Sequence, residues 1–260
     1  MQFIIHEETM TAAQRRARII EMMSEKGYLN AAGLSEIFGV DSSTIRRDLS
    51  LLEKSGKIMR THGGLLPVAA SNGSDTPYNV RLQMNAAAKK TIARYAASLV
   101  QDGQTLILDN GSSVWELAVA LKDKKNLTVV TNDVYTAIAL GNHAGITVHV
   151  AGGLMLNQVY TLVGQETVDK INSMHVDWAF LGAEGVHFEN GLTNINTVEI
   201  PVKQAMIRAA EKTVVLADSS KIGYRALAHV CSLEEIDTII TEEAPTIKQR
   251  AKYGARLVVV

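Results

Sequence analysis

Six short apolar runs between residues 105 and 240 set the tightest limit on how this 260-residue chain can fold. They are Thr105–Leu108, Leu127–Val130, Ile146–Val150, Trp178–Leu181, Val214–Ala217 and Ile236–Ile240, and stretches with helical patterning separate them. Such runs, bounded by polar and turn residues, read as strands buried on both faces, and strand–helix alternation builds βαβ units. The expectation is an α/β domain around a mostly parallel sheet, entered through an Ala-rich helix over residues 86–101. Ligands of such sheets gather at the carboxyl ends of the strands.

The first 66 residues carry a different pattern. From Gln14 to Lys26, Ile19, Ile20 and Met23 recur at helical spacing, and Gly27 offers a left-handed stop. Asn30 is expected to cap a short second helix with Leu34, Ile37 and Phe38 as its buried stripe and Gly39 as its end. Asp41 caps a third helix, whose Ile45, Leu49 and Leu52 share one face before Ser55-Gly56. Lys57 to Leu66 then alternates weakly around Gly63-Gly64, like a small β-hairpin. Two short helices meeting across Gly39-Val40 form the arrangement that places the second of them in the major groove. At about 100° per residue, Ser43, Arg47 and Ser50 fall opposite the apolar stripe, flanked by Thr44 and Arg46. Hydroxyls there can reach bases or phosphates, and Arg can grip guanine or phosphate. A plain three-helix bundle with Arg46 and Arg47 solvated fits the same pattern.

Charge sharpens the choice. A net charge of −1 argues against general polyanion binding, so a nucleic-acid footprint has to be local. Residues 42–62 hold five basic groups (Arg46, Arg47, Lys54, Lys57, Arg60) against Asp48 and Glu53, a balance of +3. A carboxylate facing phosphate would be repelled, so Asp48 is expected to orient a neighbouring Arg or to cap structure. The single Cys231 excludes an intrachain disulfide and a thiolate zinc site, and the scattered histidines form no helical metal pair, so neither metal nor cofactor is expected. No apolar stretch approaches the length of a membrane span or signal core, which points to a cytoplasmic protein. Composition shifts to Ala, Ser, Asn, Gly, Asp and Pro after residue 66, with Ser71–Asp75 a strong flexible signal. The expected division is therefore 11–66, a linker over 67–85, and 86–260. Residues 1–10 receive no assignment.

Four loops follow expected strands in the second domain: Asp109-Asn110-Gly111-Ser112-Ser113, Thr131-Asn132, Gly182-Ala183-Glu184-Gly185 and Ala217-Asp218-Ser219-Ser220-Lys221. The first opens into a helix, so its backbone N–H groups, two hydroxyls and the helix dipole suit a phosphate. Taken alone it fits an ordinary helix cap equally well.

Three stretches, Ala17-Arg18-Ile19-Ile20, Thr44-Ile45-Arg46-Arg47-Asp48-Leu49 and Arg60-Thr61-His62-Gly63-Gly64, resemble the DeoR-type family of transcriptional regulators, and the likeness spans nearly the whole chain. It implies a winged helix-turn-helix, mainly α with a small β-wing, that binds operator DNA through Ser43, Thr44, Arg46 and Arg47 and through Arg60 and His62 of the wing. The four loops, with Ala151-Gly152-Gly153, resemble in order the family's sensor half, which is similar in fold to ribose-phosphate isomerases and coenzyme A transferases and binds phosphorylated sugars or related metabolites. By that resemblance Gly111, Ser112 and Ser113 hold phosphate, Lys221 adds charge, and Asp109, Asn132, Glu184 and Lys203 read sugar hydroxyls. Asn110, Thr131, Gly152, Gly153, Gly182 and Asp218 complete the expected effector set. On its own each has a plainer role: Asp109 as a cap, for instance, and Lys203 on a solvated helix face. Three departures stand out: Glu184 replaces the usual Asp, a lone Glu199 replaces an acidic pair ahead of Lys203, and Asn110 is unusual in its loop.

The expected function is a ligand-controlled repressor of a carbohydrate-utilisation operon, not an enzyme. A homo-oligomer, dimer or tetramer, is expected because two-fold pairs read two half-sites. The rivals are a sugar-phosphate isomerase-like enzyme with an accessory DNA-binding domain, for which Asp109, Glu184 and Lys203 would supply acid–base groups, and an architectural protein whose second domain only oligomerises.

Overall fold

The computed structural model describes residues 10–26, 29–30, 33–55, 57–61, 64–67, 76, 78–243 and 246–260. It divides into two compact units, one ending at Met84 and the other beginning at Asn85.

The first unit contains α1 (Ala12–Lys26), β1 (Leu29–Asn30), α2 (Leu34–Phe38), α3 (Ser42–Lys54), β2 (Ile58–Thr61) and β3 (Gly64–Pro67). The strands pair antiparallel in the order β1-β3-β2, so the hairpin read from the sequence gains a short third strand. Asn30 belongs to that strand and does not cap α2, whose cap position is Gly33. Ile37 is also misread as core: it is 55% exposed, because a helix of five residues has room to bury only Leu34 fully. Gly39 does end α2, at a φ of +60° that favours glycine. Ile19, Met23, Leu34, Ile45, Leu49, Leu52, Ile58 and Leu65 make one core.

Asp48 is buried in the midst of this unit, where it accepts a hydrogen bond from Arg15 Nε at 2.6 Å and one from Arg16 Nη1 at 2.9 Å. Its partners are thus on α1, leaving Arg46 and Arg47 beside it exposed on α3.

The first unit also includes α4 (Tyr78–Gln83), which forms within the stretch expected to be linker and buries Tyr78 and Val80. The flexible signal Ser71–Asp75 lies outside the described residues.

The second unit begins with α5 (Ala86–Leu99), β4 (Thr105–Leu108), α6 (Ser112–Ala120), β5 (Leu127–Thr131), α7 (Val134–Gly141) and β6 (Ile146–Val150). It continues through β7 (Leu154–Met155), β8 (Leu162–Val163), α8 (Gln165–Asn172), β9 (Val176–Gly182), β10 (Gly185–His187), β11 (Gly191–Asn194) and α9 (Ile200–Ala209). It ends with β12 (Ala210–Leu216), β13 (Ala228–Cys231), β14 (Thr238–Thr241), α10 (Ile247–Tyr253) and β15 (Leu257–Val259). Seven strands form one sheet in the order β15-β14-β12-β9-β4-β5-β6, every neighbour parallel. Successive residues enter opposite cores: Leu106 and Leu108 pack with Ile92 and Leu117, while Ile107 packs with Val202 and Met206. That alternation between two apolar layers is why the strands read as continuous apolar runs. From β4 the chain winds outward to β6, then returns to place β9 on the other side of β4. The strand order therefore reverses between β4 and β9, and open parallel sheets take ligands at the carboxyl ends of the strands beside such a reversal.

Asp48→Asn keeps the shape of the side chain and removes the charge that two arginines share. The expected loss is about 3 kcal/mol in the stability of the first unit, the scale for breaking a buried pair from one side. Amide hydrogen exchange in α1 and α3 should quicken roughly a hundredfold while the parallel sheet stays protected; unchanged exchange contradicts this role for Asp48.

Candidate functional site

On α3, Ser43, Arg46 and Arg47 are exposed and Thr44 is half-buried. Asp41 starts the helix by accepting from the backbone N–H groups of Ser43 at 2.8 Å and Thr44 at 3.2 Å. Hydrogen bonds from Ser43 and Thr44 hold its carboxyl down at about 2. The Thr44 hydroxyl also donates to Asp41, and Ser50 Oγ donates to the Arg46 carbonyl, so these two hydroxyls have local partners. Ser42, Ser43, Arg46 and Arg47 are the exposed residues of the first two turns of α3. The backbone of Arg60 lies in β2, opposite Leu65; His62 and Gly63 of the expected wing fall outside the described residues.

The second constellation lies at the reversal between β4 and β9. Asp109, fully buried just past β4, accepts through Oδ2 from Lys203 Nζ of α9 and from the Gly182 N–H at 3.0 Å. Lys203 is 3% exposed, which rules out the solvated helix face as its place, and Asp109 is no helix cap. Burial works against the Lys203 charge, yet the Asp109 carboxylate and Glu199 one turn earlier outweigh it and hold its pKa above the ordinary lysine value. A lysine pKa raised by folding adds stability that is full below the unfolded value and lost as pH rises through the folded one. Lys203 therefore carries its charge at neutral pH. Glu199 is buried as well and accepts from Asn194 Nδ2 at 3.0 Å. Gly182 has no room for a side chain, since a Cβ there would fall 2.8 Å from the Asn110 carbonyl.

Gly111, at a φ of +131°, opens α6. Its N–H donates to Asp133 Oδ2 at 3.1 Å, while Asp133 Oδ1 accepts from Tyr135 N and Thr136 N and so caps α7. Asp133 thus fixes two neighbouring loops at once, and it was missed in the sequence. An acidic residue directly before a helical pattern is a readable cap signal; its bond to a loop 22 residues away is not. Thr131 Oγ1 accepts from the Asp133 N–H, and Asn132 Nδ2 donates to the Leu162 carbonyl, so both help to hold their loop. Among the described residues, four buried side-chain oxygens keep no partner: Asp109 Oδ1, Asn110 Oδ1, Asn132 Oδ1 and Thr136 Oγ1. The first three lie just past the carboxyl ends of β4 and β5, and Thr136 is in the first turn of α7.

The remaining expected residues divide. Lys221 forms an ion pair with Glu184 at 3.2 Å, joining the loops after β12 and β9. Among the described residues no hydrogen bond or ion pair links Lys221 to Ser112 or Ser113. Asp218 caps the turn Ser219–Lys221 and accepts from Asn85 Nδ2 at 3.1 Å. Gly152 sits at a φ of +78°, which favours glycine, and its carbonyl accepts from Thr167 Oγ1; at Gly153 a Cβ would lie 2.2 Å from that Thr167 oxygen. A cavity of about 440 Å³ opens elsewhere, lined by Asn190, Thr193, Arg225, Ala226, Leu227 and His229, none of them an expected effector residue.

Comparison with known proteins gives the family. Residues 15–69 match the DeoR-like helix-turn-helix domain and residues 84–243 match the DeoR C terminal sensor domain. The HTH-type transcriptional regulator GolR of Listeria innocua is 37% identical over 229 residues, covering 88% of this chain and 90% of that protein. The glycerol-3-phosphate regulon repressor of Escherichia coli is 31% identical over 239 residues, covering 92% of this chain and 94% of its own. A solved ribose 5-phosphate isomerase A of Methanocaldococcus jannaschii aligns over 53% of this chain and 54% of that one, at 19% identity and a TM-score of 0.40. With a reading head and a sensor matched in chain order, and relatives similar along nearly their whole length, the chain belongs to the DeoR family of transcriptional regulators.

Proposed function

We propose that this regulator represses a carbohydrate-utilisation operon and is controlled by a phosphorylated sugar or related metabolite bound at the β4–β9 reversal. The observation that carries the reading is the trio of unpartnered buried oxygens on Asp109, Asn110 and Asn132, beside the charged Lys203. Buried acceptors without partners cost free energy, and the hydroxyl donors of a sugar would remove that cost. The phosphate is assigned to Gly111, Ser112 and Ser113 at the start of α6, where free N–H groups and the helix dipole favour an anion. Asp133 already takes the Gly111 N–H, so the hydroxyls and the later N–H groups carry the contact. One relative is named as the repressor of a glycerol-3-phosphate regulon, which is in keeping with this class. Both matched family models and the named relatives are regulators, which favours sensing over an isomerase built on the same residues. Operator DNA is read by α3 and the wing of a homo-oligomer, dimer or tetramer, in the cytoplasm.

Arg47→Ala is expected to weaken specific operator binding by roughly 1–3 kcal/mol, the range for a bidentate base contact. Arg60→Ala should weaken all sequences alike and flatten the salt dependence, as loss of a phosphate contact does. Gel-shift titrations on operator and random DNA check both, and unchanged affinity of Arg47→Ala on both DNAs contradicts the placement of α3 in the groove.

For the sensor, calorimetry on the full chain compares a sugar phosphate with its unphosphorylated parent. The phosphorylated compound should bind more tightly, and changing Ser112 and Ser113 together to Ala should lower its affinity without abolishing it, because backbone N–H groups remain. Equal binding of the two compounds overturns the phosphate assignment and leaves the DNA-binding role intact.

A further inference from the structure

The two ion pairs of the sensor unit are built differently. Lys203 and Asp109 are sealed, at 3% and 0% side-chain exposure, and a backbone N–H supports the same carboxylate oxygen. Lys221 and Glu184 meet at 3.2 Å with 30% and 28% of their side chains exposed. The open pair joins the loop after β9 to the loop after β12, and Glu184 adds to the negative field around Lys203. Buried pairs resist exchange of partners, whereas half-exposed ones exchange readily, because water screens the intermediate states.

We propose that Glu184 is a specificity-determining residue that occupies Lys221 in the empty protein and must be displaced from it by the anionic group of the effector. The proposal rests on the reading of a phosphorylated effector at the β4–β9 reversal, and adds Lys221 to the phosphate contacts proposed at Gly111, Ser112 and Ser113. A carboxylate at 3.2 Å cancels much of the ammonium's field, so a singly charged or weakly placed anion gains little there. A dianion outbids one carboxylate for the same cation. Displacement then leaves Glu184 charged and short of a donor, and a hydroxyl on the same ligand restores one. The pair thereby favours compounds that present a dianion and a hydroxyl together, and discriminates against dianions without donors.

The sign of one substitution separates this role from a structural one. Glu184→Gln keeps size and hydrogen-bonding capacity but releases Lys221, so a bare dianion should bind more tightly; damage to the site would weaken it. Sulfate is the probe, since it stays dianionic and has no hydroxyl donor, and calorimetry on the full chain uses chloride at matched ionic strength as reference. Glu184→Gln is expected to bind sulfate roughly three- to fivefold more tightly than the unsubstituted chain. Glu184→Asp, one methylene shorter, should show a smaller gain, and Lys221→Ala should bind sulfate more weakly. The double variant should show no gain over Lys221→Ala alone. If Lys221→Ala weakens binding while Glu184→Gln leaves it equal or weaker, the competition is refuted and the anion site stands. If Lys221→Ala has no effect, or no variant binds sulfate, anion binding at Lys221 is refuted and the competition with it.

Discussion

The charge of Lys203 is the constraint around which the sensor unit is arranged. An ammonium that is 3% exposed is tenable only against a fixed counter-charge, and Asp109 supplies it from the end of β4. The same Asp109 oxygen takes the Gly182 N–H, so one carboxylate ties together β4, β9 and α9 where the strand order reverses. Asp109 keeps its other oxygen buried and unpartnered. One oxygen of this side chain closes the fold, and in the proposed reading the other is left for a ligand.

The neighbouring loops follow the same economy. Asp133 caps α7 with one oxygen and holds Gly111 with the other, which sets the entry to α6. Asp218 caps its own turn and accepts from Asn85, the first residue of the sensor unit. The Asp218 turn contains Lys221, so a ligand that moves Lys221 acts on a loop already tied to the start of that unit. Regulation requires only that the ligand bind one arrangement better than another. In the first unit, Asp48 plays the part that Asp109 plays in the second. It binds Arg15 and Arg16 across from α1, and leaves Arg46 and Arg47 outward on α3.

Much of this was legible in the sequence, for physical reasons. A parallel sheet covered on both faces leaves uninterrupted apolar runs, and all six expected runs overlap strands of the main sheet. The Ile45, Leu49 and Leu52 stripe fixed the outward face of α3, and Asp41 announced its start. Local rules failed where elements are very short: Asn30 and Ile37 flank or lie in pieces of two and five residues. The short strands β10, β11 and β13 left no pattern, since three or four residues give periodicity little to act on. The pairings of Lys203 with Asp109 and Lys221 with Glu184 span 94 and 37 residues, and no spacing rule reaches that far. Resemblance brought those four residues to attention; geometry shows that they are paired with one another.

The central claim is that a phosphorylated metabolite in the sensor unit controls operator binding by the first unit. It is tested most directly by titrating the full chain onto labelled operator DNA, with a sugar phosphate or its unphosphorylated parent held in excess. The account predicts that the phosphorylated compound alone shifts operator affinity, by roughly 5- to 150-fold, the usual range of coupling between two sites. Equal shifts from both compounds would contradict the phosphate reading. No shift from any sugar phosphate that calorimetry shows to be bound would contradict the control itself.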